Sequence, residues 1–180
     1  GDAQITILAP NKKYDNPNSA SIALLIQNGD NTFLFTGDAE EAAENDILDN
    51  GLSVKADVYQ AGHHGSKTST SEDFFNAVDP DYAVLSCAEG NSYGHPHAQT
   101  MNTFRMNGVK VYRTDEAGTI IATSDGSNIK FDVPASDSWK AGEPTGSSSS
   151  QNTSTATTAS TAKETQPAKT TELAYVLNSK

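Results

Sequence analysis

The chain has 180 residues, 12 Lys/Arg against 23 Asp/Glu, a formal net charge of −11 and a hydrophobic fraction of 35%. That length fits one domain with its own core, and the acidity excludes non-specific binding of a phosphate backbone through a basic patch, leaving a polyanion open only as a substrate held by bound metal. One cysteine, Cys87, excludes an internal disulfide, and no apolar run approaches the roughly 18 residues that a membrane span needs.

Gln4-Ile5-Thr6-Ile7-Leu8 alternates apolar and polar residues and predicts a strand, followed by a polar loop through Asn18 that contains Asn16-Pro17. Ser21–Gln27 and Thr32–Phe35 flank Asn28-Gly29-Asp30-Asn31, and the Asn-Gly pair signals a hairpin. From Ala39 to Asp49 the residues Ala39, Ala42, Ala43, Ile47 and Leu48 keep helical spacing, with Asn50-Gly51 as the stop. Ala56–Gln60 is a short strand. Ser71 caps a helix holding Phe74, Phe75 and Val78, which ends before Asp79-Pro80. Ala83-Val84-Leu85 reads as a central buried strand, and Cys87 at its end reads as a strand residue rather than a ligand. Pro96 opens a helix running to Asn107, with Met101 and Phe104 inward and Gly108 as terminator. Val109–Tyr112, Gly118–Thr123 and Ile129–Val133 form three closing strands, the last two joined by a turn at Asp125-Gly126. The fold class is α/β, a mixed β-sheet with flanking helices.

The composition changes after Pro134. Residues 1–134 hold 8 Lys/Arg against 19 Asp/Glu, whereas 135–180 hold 4 against 4. Between 145 and 171, 15 of 27 residues are Ser or Thr, with no Val, Leu, Ile or aromatic side chain to offset the entropy of ordering. Residues 135–171 are therefore expected to be a disordered linker, and the apolar return at Thr171–Asn178 marks 172–180 as the start of a further, truncated module. Gly1 in place of methionine leads to the expectation that the chain is cut from a longer one.

All four histidines lie between His63 and His97, each beside glycine or proline and each just past an apolar run. Imidazole and carboxylate hold zinc or manganese at neutral pH, and loops at strand ends are where a scaffold aims them. Asp38 has two readings. Asp38-Ala39-Glu40-Glu41 fits a capping box, and the same carboxylate after a strand fits a metal ligand. Gly62 and Gly65 bracket His63-His64, so that the chain turns sharply and the adjacent rings diverge, one as ligand and one as support or substrate contact. Lys67 and the hydroxyls from Ser66 to Ser71 could hold a phosphate. His95 at a helix start is kept neutral by the dipole, able to bind metal, to donate to an oxyanion, or simply to cap.

Thr36-Gly37-Asp38, Gly62-His63-His64-Gly65-Ser66 and Tyr93-Gly94-His95-Pro96-His97 resemble the second half of the ComEC-type metallo-β-lactamase-fold hydrolases, the soluble domains of DNA-uptake competence proteins and their secreted relatives. The loop Asn16–Ser21 and the ending Val111–Asp115 belong to the resemblance, which covers about residues 1–134. It implies half of an αββα sandwich, in which one face of the sheet lacks a partner layer and leaves Ile22–Leu25 and Phe33–Phe35 open. It further implies that Asp38 bridges two divalent ions, zinc or manganese, and that the His63-His64 pair supplies one ligand. The family's His-x-His-x-Asp-His signature is absent from this sequence and is expected upstream of Gly1.

The intact parent is then expected to be an exported phosphodiesterase or nuclease-like hydrolase, extracellular or at the cell surface, while this fragment alone is inactive. A water activated by the two ions would attack phosphorus, with His95 or Lys67 stabilising charge on the ester oxygens. The substrate is a phosphodiester: nucleic acid, a teichoic acid choline ester, or a small diester. The alternative is a non-catalytic binding or scaffold domain at the cell surface, with Asp38 a cap and the histidines lining a turn.

Overall fold

The computed structural model describes residues 3–143 and, for the backbone alone, 174–177. Six strands, β1 (Gln4–Ala9), β2 (Ala23–Asn28), β3 (Asn31–Phe35), β4 (Val58–Gln60), β5 (Tyr82–Leu85) and β6 (Lys110–Arg113), lie in that order in one mixed sheet. The first three are antiparallel neighbours, and β3 to β6 run parallel. The expected hairpin closes with Asn28 opposite Asn31, and Gly29 takes φ 59° in its two-residue turn. A side chain on Gly29 would also strike the Gly126 carbonyl at 2.4 Å.

Parallel neighbours need crossovers, and helices α1 (Glu41–Asp49), α2 (Glu72–Val78) and α3 (Ala98–Met106) supply them. All three lie on one face. Ile47, Phe74, Phe75, Met101 and Phe104 bury there against Leu34, Tyr59, Ala83, Leu85 and Val111 of the sheet. α2 begins and ends where the sequence indicates, with Asp79 in the left-handed region after it, but Ser71 holds the N-cap position without a capping bond from its hydroxyl. The chain leading into it is held by the buried Glu44 of α1, whose carboxylate accepts the N–H of Thr70 at 2.6 Å and of Ser71 at 2.9 Å.

Two helix starts differ from the sequence reading. α1 starts at Glu41 with Glu40 at the N-cap, so Asp38 lies ahead of the helix and does not cap it. α3 starts at Ala98 with His97 at the N-cap, so Pro96 stays in the preceding loop.

The closing strands also divide. A short helix, α4 (Thr114–Ala117), follows β6, and β7 (Ile121–Ser124) and β8 (Ile129–Phe131) form a second sheet. This hairpin packs on the other face of the main sheet, Ile120 and Ala122 against Phe33, Val58, Val84 and Tyr112. It buries Phe33 on that face, and Leu34 is covered by the helices on the other, so the expectation that both would be open is corrected. Of the expected open stretch Ile22 stays bare at 64% exposed, beside Ile5 and Ile7 of β1 at 64% and 69%, whereas Ala23 is buried and Leu24, Leu25 and Phe35 are half-buried.

β9 (Ala174–Leu177) pairs in parallel with β7. Of the expected linker, residues 144–171 lie outside the described residues. Residues 135–143 are irregular but anchored: Ser136 N–H donates to the Val111 carbonyl, Arg113 to the Lys140 carbonyl, and Gly142 N–H to the Pro96 carbonyl, while Trp139 packs on the helical core. Among the described residues no helix is long and apolar enough to cross a membrane.

Candidate metal centre

The parallel strands β3, β4, β5 and β6 all end at the same edge, where an α/β sheet presents its loops. Gly37-Asp38 follows β3, the His63-His64 turn follows β4, and the loop from Ser86 to His97 follows β5. The topology therefore gathers four imidazoles and a carboxylate from separate loops at one end of the sheet.

The turn itself is forced. His63 and His64 both sit in the left-handed region, at φ 49° and 58°, a conformation that costs on the order of 1–3 kcal/mol for each non-glycine residue. Main-chain bonds pin it: Gly62 N–H donates to the Tyr59 hydroxyl at 3.0 Å, His63 N–H to the Gly37 carbonyl at 2.9 Å, and Ser66 N–H to the His63 carbonyl at 2.9 Å. Gly65 is required twice over, by its φ of 79° and by a Cβ that would meet Leu85 at 2.6 Å and Pro96 at 2.8 Å.

The two rings diverge. His64 Nδ1 lies 2.6 Å from the Ser86 carbonyl, which can only accept, so the neutral ring carries its proton on Nδ1 and a lone pair on Nε2. That Nε2 faces Asp38 Oδ1 at 3.5 Å. Two ligands of one ion at about 2.0–2.2 Å and a tetrahedral angle stand roughly 3.4 Å apart, so the pair fits a shared divalent cation. His63 turns the other way, its Nδ1 at 3.3 Å from Thr68 Oγ1 and 3.7 Å from Glu40 Oε1.

His95 is the buried ring of the cluster, 6% exposed, with ring centroids of His63, His64 and His97 at 5.5, 6.1 and 4.8 Å. Burial first, and then the neighbouring imidazoles, push its pKa down to about 4, so the ring is neutral at pH 7. The expected neutrality thus has a different cause from the helix dipole, because α3 begins beyond it. His97 Nδ1 accepts the Lys67 N–H at 2.9 Å, and the exposed Lys67 shares with Asp38, Glu40, His63, His64 and His95 a hollow of about 500 Å³.

Glu40 was not visible as a site residue in the sequence. Its carboxylate accepts from Asn16 at 2.6 Å, Asn18 at 3.3 Å and Thr68 at 3.5 Å while facing His63, which ties the loop Asn16–Ser21 to the histidine turn. Only its place two residues after Asp38 could have signalled this. Among the described residues no group of three or more His, Cys, Asp or Glu side chains is arranged to hold a metal ion. Asp38 and His64 are fewer than the three protein ligands typical of catalytic zinc.

Residues 11–89 match the Metallo-beta-lactamase superfamily, whose members typically bind divalent metals. The chain is 35% identical over 120 residues to ComE operon protein 3 of Bacillus subtilis (strain 168), a match spanning 66% of this chain and 16% of that protein. It is 37% identical over 110 residues to Competence protein ComA of Neisseria gonorrhoeae, spanning 61% of the chain and 16% of the relative. To Recombination protein 2 of Haemophilus influenzae it is 40% identical over 103 residues, 57% of the chain and 13% of the relative. The chain thus matches less than a fifth of the length of these relatives. With a mixed sheet flanked by helices, a site at the strand ends and these matches, the chain belongs to the metallo-β-lactamase superfamily as a relative of the ComEC-type competence proteins.

Proposed function

We propose that this domain works as a metal-dependent phosphodiester hydrolase, with further ligands supplied from upstream of Gly1. The observation that carries the reading is the pairing of Asp38 with His64: a lone pair and a carboxylate oxygen face each other at 3.5 Å while the far side of the ring is fixed by the Ser86 carbonyl. A metal-binding histidine commonly donates its second ring N–H to a backbone carbonyl in this way. Asp38 and His64 would hold the ion. When bound, zinc or manganese would supply an activated water and polarise the ester oxygens.

The other groups of the hollow have separate tasks. Glu40 and Thr68 orient His63 toward the substrate space. Neutral His95 offers a hydrogen-bond donor to an ester oxygen, and Lys67 offers positive charge at the rim. The rival reading, a non-catalytic scaffold domain, draws on the two-donor count among the described residues. Export to the cell surface is proposed on the Ser/Thr-rich stretch alone.

Hydrolysis of bis(p-nitrophenyl) phosphate by the intact protein, with and without a chelator, tests the proposal. Turnover that needs zinc or manganese and disappears in His64→Ala is expected. Chelator-insensitive turnover would refute the metal requirement, and no turnover with either metal would favour the scaffold.

A further inference from the structure

His64, Tyr93 and His95 form a wall with a hollow on each side. One is the polar hollow that contains Asp38. The other, of about 360 Å³, is lined by Cys87, Asn91 and Thr114 as well as by the wall. Tyr93 is 74% exposed, yet its ring is placed, stacked on His95 at a centroid distance of 5.6 Å and an interplanar angle of 16°.

Several polar groups of this second hollow are already engaged. Asn91 donates to the Ala88 and His95 carbonyls at 2.9 and 2.7 Å and accepts the His95 N–H at 2.9 Å. The Thr114 hydroxyl accepts the Cys87 N–H at 2.9 Å and donates to the Cys87 carbonyl at 2.8 Å. The Ser86 carbonyl is taken by His64. What the hollow offers a ligand is a ring face and apolar walls, with few free hydrogen-bonding edges.

We propose that this hollow is a subsite for a nucleobase, held by stacking on Tyr93, with the attached phosphodiester across the wall beside Asp38. The placement of the phosphate rests on the hydrolase reading, whereas the base-binding claim does not. Stacking is indifferent to base identity, since every base has a π face. A quaternary ammonium head group fits less well, because it is recognised by several aromatic faces or a carboxylate, and the residues lining this hollow include one tyrosine and no Asp or Glu.

NMR titration of the full 180-residue chain with adenosine, cytidine, ribose and phosphocholine tests this, because none of these probes contains a phosphodiester bond. Both nucleosides are expected to bind at least about tenfold more tightly than ribose and within about threefold of each other. Tyr93→Ala should erase that advantage and Tyr93→Phe should keep it. Equal binding of ribose and nucleosides, nucleoside binding untouched by Tyr93→Ala, or a preference for phosphocholine would overturn the subsite. Since no bond is cleaved, failure of the hydrolase assay and failure here are separate results.

Discussion

The two ends of the main sheet use polar residues in opposite ways. At the end holding the β2–β3 turn, buried and half-buried polar groups complete one another. Ser124 Oγ accepts from Asn28 at 2.9 Å and donates to Asn31 at 2.7 Å, while Thr32 and Asp57 exchange bonds through Asp57 Oδ2 to the Thr32 N–H at 2.7 Å and Thr32 Oγ1 to the Asp57 N–H at 3.0 Å. At the other end, the His63-His64 turn is strained and Asp38 Oδ1 and His64 Nε2 face each other at 3.5 Å without closing to hydrogen-bond distance. Satisfied pairs stabilise a fold. Unrelieved ones held by a rigid frame belong to a site that expects something more.

This contrast predicts a dissociation between activity and stability. Asp38→Ala in the intact protein should lower metal-dependent phosphodiester hydrolysis by about 10³-fold or more, with the denaturant midpoint nearly unchanged, because a half-buried carboxylate ahead of α1 does little for the core. Full turnover in that variant would break the comparison. Ser124→Ala should do the reverse, costing about 1–3 kcal/mol by leaving buried Asn28 and Asn31 groups unpaired, with turnover per folded molecule intact. Urea unfolding measures the first and the assay the second.

Tyr59→Phe sits between the ends. It leaves the Gly62 N–H without its acceptor, so a loss of about 1 kcal/mol is expected together with weaker turnover as the histidine turn loosens; unchanged turnover would show that the turn holds without it. The smallest effect concerns pH. The folded pKa of His95 lies below its ordinary value, so its neutral form contributes stability that is present above about 6.5 and is lost as pH falls toward about 4. In chelator-treated protein, the stability difference between wild type and His95→Asn should therefore shrink across that window. A difference independent of pH would refute the shifted titration.

Much of this was legible beforehand where local chemistry decides the outcome. Asn28-Gly29 can hardly avoid a hairpin, and Phe74, Phe75 and Val78 between Ser71 and Asp79 fix α2. The clustering of Asp38, His63, His64 and His95 followed from their placement at strand ends. What the sequence hid depends on tertiary partners. The capping box at Asp38 is a sound local pattern, but Ser21 takes the Asp38 N–H at 3.0 Å and α1 starts later, freeing Glu40 to gather Asn16, Asn18 and Thr68. Thr114–Ala117 has no apolar periodicity, so nothing announced the short helix that separates β6 from the second sheet. The proposed preference for His64 over His63 rests on a backbone carbonyl, Ser86, that no side-chain pattern encodes.

The central claim is that Asp38 and His64, rather than His63, share an ion. Anomalous diffraction from crystals soaked in zinc tests it directly. The expected result is a peak within about 2.0–2.2 Å of both the Asp38 carboxylate and His64 Nε2, with His63 still turned toward Glu40. A peak bound to His63 instead, or zinc that avoids Asp38 altogether, would contradict it.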